Sequence, residues 1–143
     1  MQVEYKIAET KEELHQMFDL RIEVFVKEQN VPQELELDEY DTIATHFIAL
    51  QHGVVIGCGR ILFQDSYTQI GRVAVRKCHR NEGLGKGLMQ NMINICLEKG
   101  YRKIILHAQL PVVHFYESLG FKVHGDIFLD AGIEHLEMIW ETD

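Results

Sequence analysis

Apolar and polar positions change period several times along the chain, and each change marks an element. Val3 to Ala8 alternates like a half-buried strand. Thr10-Lys11-Glu12-Glu13 reads as a capping box, in which the Thr10 hydroxyl and the Glu13 carboxylate satisfy free amides at a helix start. Leu14, Met17, Phe18, Ile22 and Phe25 then recur at helical spacing on one face. From Lys27 to Thr45 the chain is acidic and carries Pro32, which predicts a long loop with a short helix. His46–Gln51 and Val54–Phe63 read as two strands of a hairpin turning at His52-Gly53, and Gln69–Val75 as a fourth strand. The apolar positions from Leu88 to Leu97 predict a helix that runs to Lys99 and stops at Gly100, a left-handed cap. Lys103–Ala108 is a fifth strand, and Pro111 opens a short helix that ends near Leu119 with Gly120 as its cap. Phe121–Phe128 and Glu134–Trp140 form a last hairpin around Asp130-Ala131-Gly132. The order β-α-β-β-β-α-β-α-β-β, a hairpin-rich half followed by a βαβ unit, predicts an α/β fold with a mixed sheet carrying helices.

The stretch between the fourth strand and the second long helix carries the chemistry. It reads Arg80-Asn81-Glu82-Gly83-Leu84-Gly85-Lys86-Gly87. The first amides of a helix lack internal partners and its dipole favours an anion, so a glycine-rich turn into a helix suits a phosphate. Arg80 and Lys86 add positive charge. A P-loop would place Ser or Thr after the lysine, where this chain has Gly87. A dinucleotide site would space its glycines G-x-G-x-x-G and end the next strand on an acid, where the chain has G-x-G-x-G and His107. The alternative to ligand binding is a tight turn and no more.

Arg80-x-x-Gly83-x-Gly85 resembles motif A of the Gcn5-related N-acetyltransferases (GNAT), and Phe115-Tyr116-Glu117-Ser118-Leu119-Gly120-Phe121 resembles that family's tyrosine signature. Leu20 to Gln29 is similar to the Arg-x-x-Val-Phe-Val-x-Glu-Gln stretch of the ElaA-like branch, and Asp130 to His135 to its Asp-Gly-Ile-x-His segment with Ala131 inserted. The resemblance covers nearly the whole chain and implies one acetyltransferase domain over residues 1–143, of the acyl-CoA N-acyltransferase fold. It implies that parallel strands four and five splay apart around the donor, acetyl-CoA, and that the acceptor is an amine. Implied donor contacts are Val73, Val75, Arg80, Asn81, Gly83, Leu84, Gly85, Lys86, Gly87, Gln109 and Tyr116. Gln109 stands where the family often has asparagine, seven residues before the tyrosine.

Composition changes the picture in a few places. At 143 residues the chain suits a single domain, and no apolar run approaches the roughly 18 residues of a membrane span. The start, Met1-Gln2-Val3-Glu4, leads straight into strand-like sequence, so no secretory signal is expected. Three cysteines without a C-x-x-C pattern suggest reduced thiols and a cytoplasmic location. A net charge of −8 argues against nucleic acid, accommodates a cationic acceptor, and equally serves solubility. Monomer and homodimer both stay open. No His or Cys spacing suggests a metal, and Cys58 and Cys96 fall in apolar runs that read as core.

Acetyl transfer to an amine needs a polarised carbonyl, a deprotonated amine, alignment and a proton for the departing thiolate. The resemblance assigns polarisation to the Val75 amide at the end of strand four and the acid to Tyr116, whose other reading is a core tyrosine. A phenol, with a pKa near 10, is protonated at neutral pH. For the base the candidates are Glu28 and His135, with Gln29, Arg21 and Glu23 nearby in the first case; Arg21 reads equally as a structural ion pair, and a water chain would leave no trace. The alternative to an enzyme is a non-catalytic module that binds and senses acyl-CoA.

Overall fold

The computed structural model describes residues 2–143. Its strands are β1 (Glu4–Ile7), β2 (Thr45–Gln51), β3 (Val54–Phe63), β4 (Thr68–Val75), β5 (Lys103–Gln109), β6 (Lys122–Asp130) and β7 (Ile133–Glu141). The α-helices are α1 (Lys11–Arg21), α2 (Gln33–Glu36), α3 (Leu84–Glu98) and α4 (Val113–Ser118). The strands make one mixed sheet in the order β1-β2-β3-β4-β5-β7-β6, in which only β4 and β5 pair in parallel.

Local chemistry explains the joints. The Thr10 hydroxyl accepts the Glu13 amide at 3.0 Å and the Glu13 carboxylate accepts the Thr10 amide at 3.2 Å, closing the capping box. His52 and Gly53 turn the β2–β3 hairpin with φ of 52° and 76°; Ala131 and Gly132 turn β6–β7 with 51° and 77°. Two consecutive positive φ values are what a two-residue hairpin of type I′ requires. The spacing through Phe25 predicts a single helical type, but α1 continues as a π-helix over Ile22–Glu28, with the Gln29 amide bonded back to the Val24 carbonyl at 3.2 Å. The acidic loop holds α2 and a 3-10 turn over Glu39–Thr42.

Apolar burial sandwiches the sheet. On one face Met17, Leu20 and Val24 pack on Ile48, Val55, Cys58 and Ala74. On the other, α3 buries Leu84, Leu88, Met89, Met92 and Cys96 with Ile56, Ile61, Ile70, Ile104 and Leu106. Each such aliphatic side chain contributes about 1.5–3 kcal/mol on burial. Gly57 of β3 lets α3 lie close, because a Cβ there would meet the Leu88 Cδ1 at 2.9 Å.

The feature that positions the site is where the sheet comes apart. β4 and β5 pair only at Thr68–Ile104, Gln69–Ile105 and Ile70–Leu106. Beyond Ile70, β4 stays on β3 to Val75 and β5 stays on β7 to Gln109, so the C-terminal ends of the parallel strands diverge.

Candidate active site

A cavity of about 1030 Å³ opens at these parted ends. Its walls include β4 from Gln69 to Val75, β5 from Leu106 to Gln109, the start of α3, Tyr116 and His135. Such a crevice at the carboxyl ends of parallel strands is where α/β sheets receive ligands.

The phosphate-loop residues split between a turn and a helix. Asn81 and Gly83 take φ of 65° and 82°, and Gly83 is the N-cap of α3. Leu84, Gly85, Lys86 and Gly87 lie in the helix, in its first turn. The helix begins four residues before its apolar run because Leu84 is itself core, 2% exposed. Among the described residues no side chain caps α3, and the first amide bonded back within the turn is that of Gly87, to the Gly83 carbonyl at 3.0 Å. The amides of Leu84, Gly85 and Lys86 are thus the donors a phosphate would take.

Arg80 is held from two sides. Its Nε donates to the Val75 carbonyl at 3.0 Å, and Nη1 and Nη2 donate to the two Glu28 oxygens at 3.0 and 2.9 Å. The next residue, Gln29, accepts from Gln109 Nε2 at 2.8 Å. A run of contacts therefore goes from the Val75 carbonyl at the tip of β4 through the Arg80 and Glu28 side chains, along the main chain to Gln29, and through its side-chain bond with Gln109 to the tip of β5. Glu28, a candidate base on sequence grounds, faces Arg80 and is not among the residues that line the cavity; Gln29 is.

β4 carries a bulge beside the slot. Cys58 pairs with Ala74 and Arg60 with Gly71, so Arg72 and Val73 together stand opposite Gly59. Arg72 takes a φ of 52° there. The bulge removes Arg72 and Val73 from the regular register within the stretch Gly71 to Val75 that lines the cavity. Val73 and Val75 are the candidate donors to an acyl oxygen in that stretch.

Tyr116 is 9% exposed and lies edge-on to Phe115 and Phe121, with centroids 5.0 and 6.0 Å apart. Burial pushes its phenol up to about 12, so it stays protonated throughout the neutral range. His135 pairs with Gln109 across β7 and β5. Its Nδ1 lies 2.7 Å from the Ile133 carbonyl, which only accepts, so Nδ1 carries the proton and the neutral ring keeps a lone pair on Nε2. His107 completes this wall: Phe128 meets its ring edge-on at 5.0 Å and stacks on His135 at 5.8 Å.

An ionic cluster lies on the side of α2. Arg21 is fully buried; its Nε donates to Glu36 at 2.7 Å and its Nη1 to Asp41 at 2.7 Å. Arg60 Nη1 donates to Asp38 at 2.7 Å and to Asp41 at 3.0 Å. Arg72 reaches Glu36 and Asp38, each at 3.2 Å. Burial would raise the Asp41 carboxyl, but hydrogen bonds from Arg21, the Asp38 amide and Arg60 hold it down at about 2. Burial pushes the Glu36 carboxyl up against the pull of Arg72 and Arg21. Three guanidiniums match three carboxylates, so this wall is not an anionic trap despite the acidity of the chain.

Sequence reasoning singled out Arg21 but missed Arg60, Arg72, Glu36, Asp38 and Asp41. The available signal was two arginines inside apolar strands, where a charge requires a partner. Cys58 and Cys96 are buried and Cys78 exposed, all free; burial pushes the Cys58 thiol up to about 12. Among the described residues, no cluster of His, Cys, Asp and Glu is arranged to hold a metal, and no helix is long and apolar enough to cross a membrane.

Parted parallel strands in a seven-stranded mixed sheet, with a glycine-rich helix start beside the slot, are the arrangement of the GNAT acyl-CoA N-acyltransferase fold. The chain belongs to that family: residues 6–142 match the acetyltransferase (GNAT) domain. It is 40% identical over 134 residues to the uncharacterized N-acetyltransferase YjcF of Bacillus subtilis, covering 93% of this chain and 96% of that one. To Escherichia coli ElaA it is 31% identical over 135 residues, covering 91% of this chain and 88% of ElaA. The ElaA crystal structure superposes with a TM-score of 0.89 at 27% identity, over 98% of this chain and 100% of that one. A GNAT acetyltransferase of Elizabethkingia anophelis with acetyl-CoA bound shares the fold at a TM-score of 0.75 and 19% identity, over 98% of each chain.

Proposed function

We propose that the protein transfers an acetyl group from acetyl-CoA directly to the amine of a small molecule or peptide, as a single domain in the cytoplasm. The observation that carries this reading is the cavity itself, where the open amides of α3, the β4 bulge, Tyr116 and His135 meet. The donor's pyrophosphate takes the amides of Leu84, Gly85 and Lys86 near Asn81, with Arg80 and Lys86 supplying charge. The amides of Val73 and Val75 stabilise the oxyanion as the amine attacks the thioester carbon. The His135 Nε2 receives the proton the amine loses, and Tyr116 gives its proton to the sulfur as the C–S bond breaks.

Screening amines for acetyl-CoA-dependent release of free thiol tests the reading. Tyr116→Phe is expected to lower kcat about a hundredfold with acetyl-CoA affinity little changed, within the range of general acid catalysis. Retained acetyl-CoA binding with no turnover of any amine would instead support the non-catalytic module.

A further inference from the structure

Arg72 is a charged, side-chain-bearing residue in a left-handed conformation in the middle of β4, with φ of 52°. A non-glycine residue adopts that conformation at a cost, and it persists only where surrounding contacts impose it. Those contacts all lie on one segment. The Nη2 of Arg72 donates to the Glu36 carbonyl at 3.0 Å, to the Leu35 carbonyl at 3.4 Å and to Asp38 at 3.2 Å. Its Nε faces the Glu36 carbonyl at 3.3 Å and the Glu36 carboxylate at 3.2 Å.

The segment these contacts hold, Gln33–Thr42, lines the same cavity as Tyr116, contributing Leu35, Glu36, Asp38 and Tyr40. Leu35 is 53% exposed and Tyr40 45%, so the segment presents apolar surface at the cavity rim. Charge balance alone does not call for the Arg72 geometry. Glu36 already has Arg21 and Asp38 already has Arg60, at 2.7 Å each. The further bonds of Arg72 go to main-chain carbonyls at the end of α2, which fix position and neutralise nothing.

We propose that Arg72 is a positioning residue that couples the wall Gln33–Thr42, taken as the acceptor side of the cavity, to the β4 bulge that carries the proposed oxyanion donors Val73 and Val75. The inference rests on the acetyl-transfer reading for its catalytic consequence and on the bulge for its structural one. One guanidinium locks the acceptor wall and the acyl-binding segment into a single register, so displacing either displaces the other.

Three variants separate this from a purely structural role. Arg72→Gly adopts the positive φ without penalty and leaves the bulge formed, but releases the wall. It is expected to lower kcat/KM for the acceptor at least tenfold while acetyl-CoA affinity stays within threefold. Arg72→Lys, a single ammonium unable to span two carbonyls and two carboxylates, is expected to recover only part of the loss. A glycine variant with a lower melting temperature but unchanged kcat/KM per folded molecule overturns the proposal. The third variant, Asp38→Ala, changes no residue of β4, and its readout needs no substrate. Amide hydrogen exchange is expected to quicken both at residues 33–42 and at residues 72–76. Quickening confined to 33–42 overturns the coupling even if no amine substrate is ever found, whereas a protein that exchanges as expected but acetylates nothing refutes acetyl transfer and not the coupling.

Discussion

Replacing Tyr116 with phenylalanine removes one oxygen from the cavity wall and nothing from the aromatic packing beneath it. That makes the alkaline limb of the stability curve a direct report on how dry the phenol is. Burial holds the folded-state value at about 12, against an ordinary value of 10.0. The neutral phenol is the form favoured by folding. Its contribution is fully present below pH 10, where both states are protonated, and is lost as pH rises from 10 through 12, where only the unfolded chain ionises. Two pH units at about 1.4 kcal/mol each set the loss near 3 kcal/mol, as an upper figure because the ring borders a cavity that water enters. Other alkaline titrations, including that of Tyr5, which burial also pushes up, act equally in wild type and variant and cancel in the difference. Urea unfolding of both proteins at intervals from pH 8 to 11.5 measures it. The wild type should lose about 1–2 kcal/mol more than Tyr116→Phe over that span, which ends below the folded value, and absorbance of tyrosinate should show one of the five tyrosines ionising last. Parallel stability curves would mean that the hydroxyl is solvated in the folded state, and the argument for a protected acid would fail.

Other expectations follow from named contacts. Gly85 has room for a Cβ, which would lie 3.4 Å from Phe115 Cζ, so Gly85→Val should fold while its branched methyls obstruct the amides of α3. Calorimetric titration should show acetyl-CoA binding weakened at least tenfold, about 1.4 kcal/mol; unchanged affinity in the folded variant would remove the phosphate role from this turn. Asp41, held at about 2 by Arg21 and Arg60, contributes stability above its ordinary value that is lost as pH falls from about 4 to about 2. Wild type should therefore exceed Asp41→Asn by up to about 2 kcal/mol at neutral pH, with the gap closing on acidification, as read from denaturant midpoints.

How much of this was legible beforehand depended on how local the cause was. The hairpin at His52-Gly53, the cap at Thr10 and the glycine-rich start of α3 are short-range devices, and the chain shows them openly. The parting of β4 and β5 came through resemblance, because period alone does not reveal which strands stop pairing. The ionic cluster was not legible as a cluster. Arg21, Arg60 and Arg72 meet Glu36, Asp38 and Asp41 only after the acidic loop folds back over β3 and β4. Glu28 shows the limit most sharply. Its position after the first helix suggested a place in the acceptor cleft, yet its carboxylate holds Arg80, while its neighbour Gln29 reaches the cavity. Apolar spacing through Ile22 and Phe25 gives no sign that the helix widens there, and the widening decides where residues 28 and 29 point.

That widened turn makes chain length, rather than side-chain identity, a constraint on the site. A π-turn holds one residue more than an α-turn needs. Wound as uninterrupted α-helix with the same number of residues, the segment would carry the pair at 28 and 29 about 100° round the axis and about 1.5 Å along it, off both strand tips at once. Substitutions along the exposed side of the turn leave that geometry standing; an added codon that the turn cannot absorb does not, and the two diverging strands would lose the side-chain span that joins their ends.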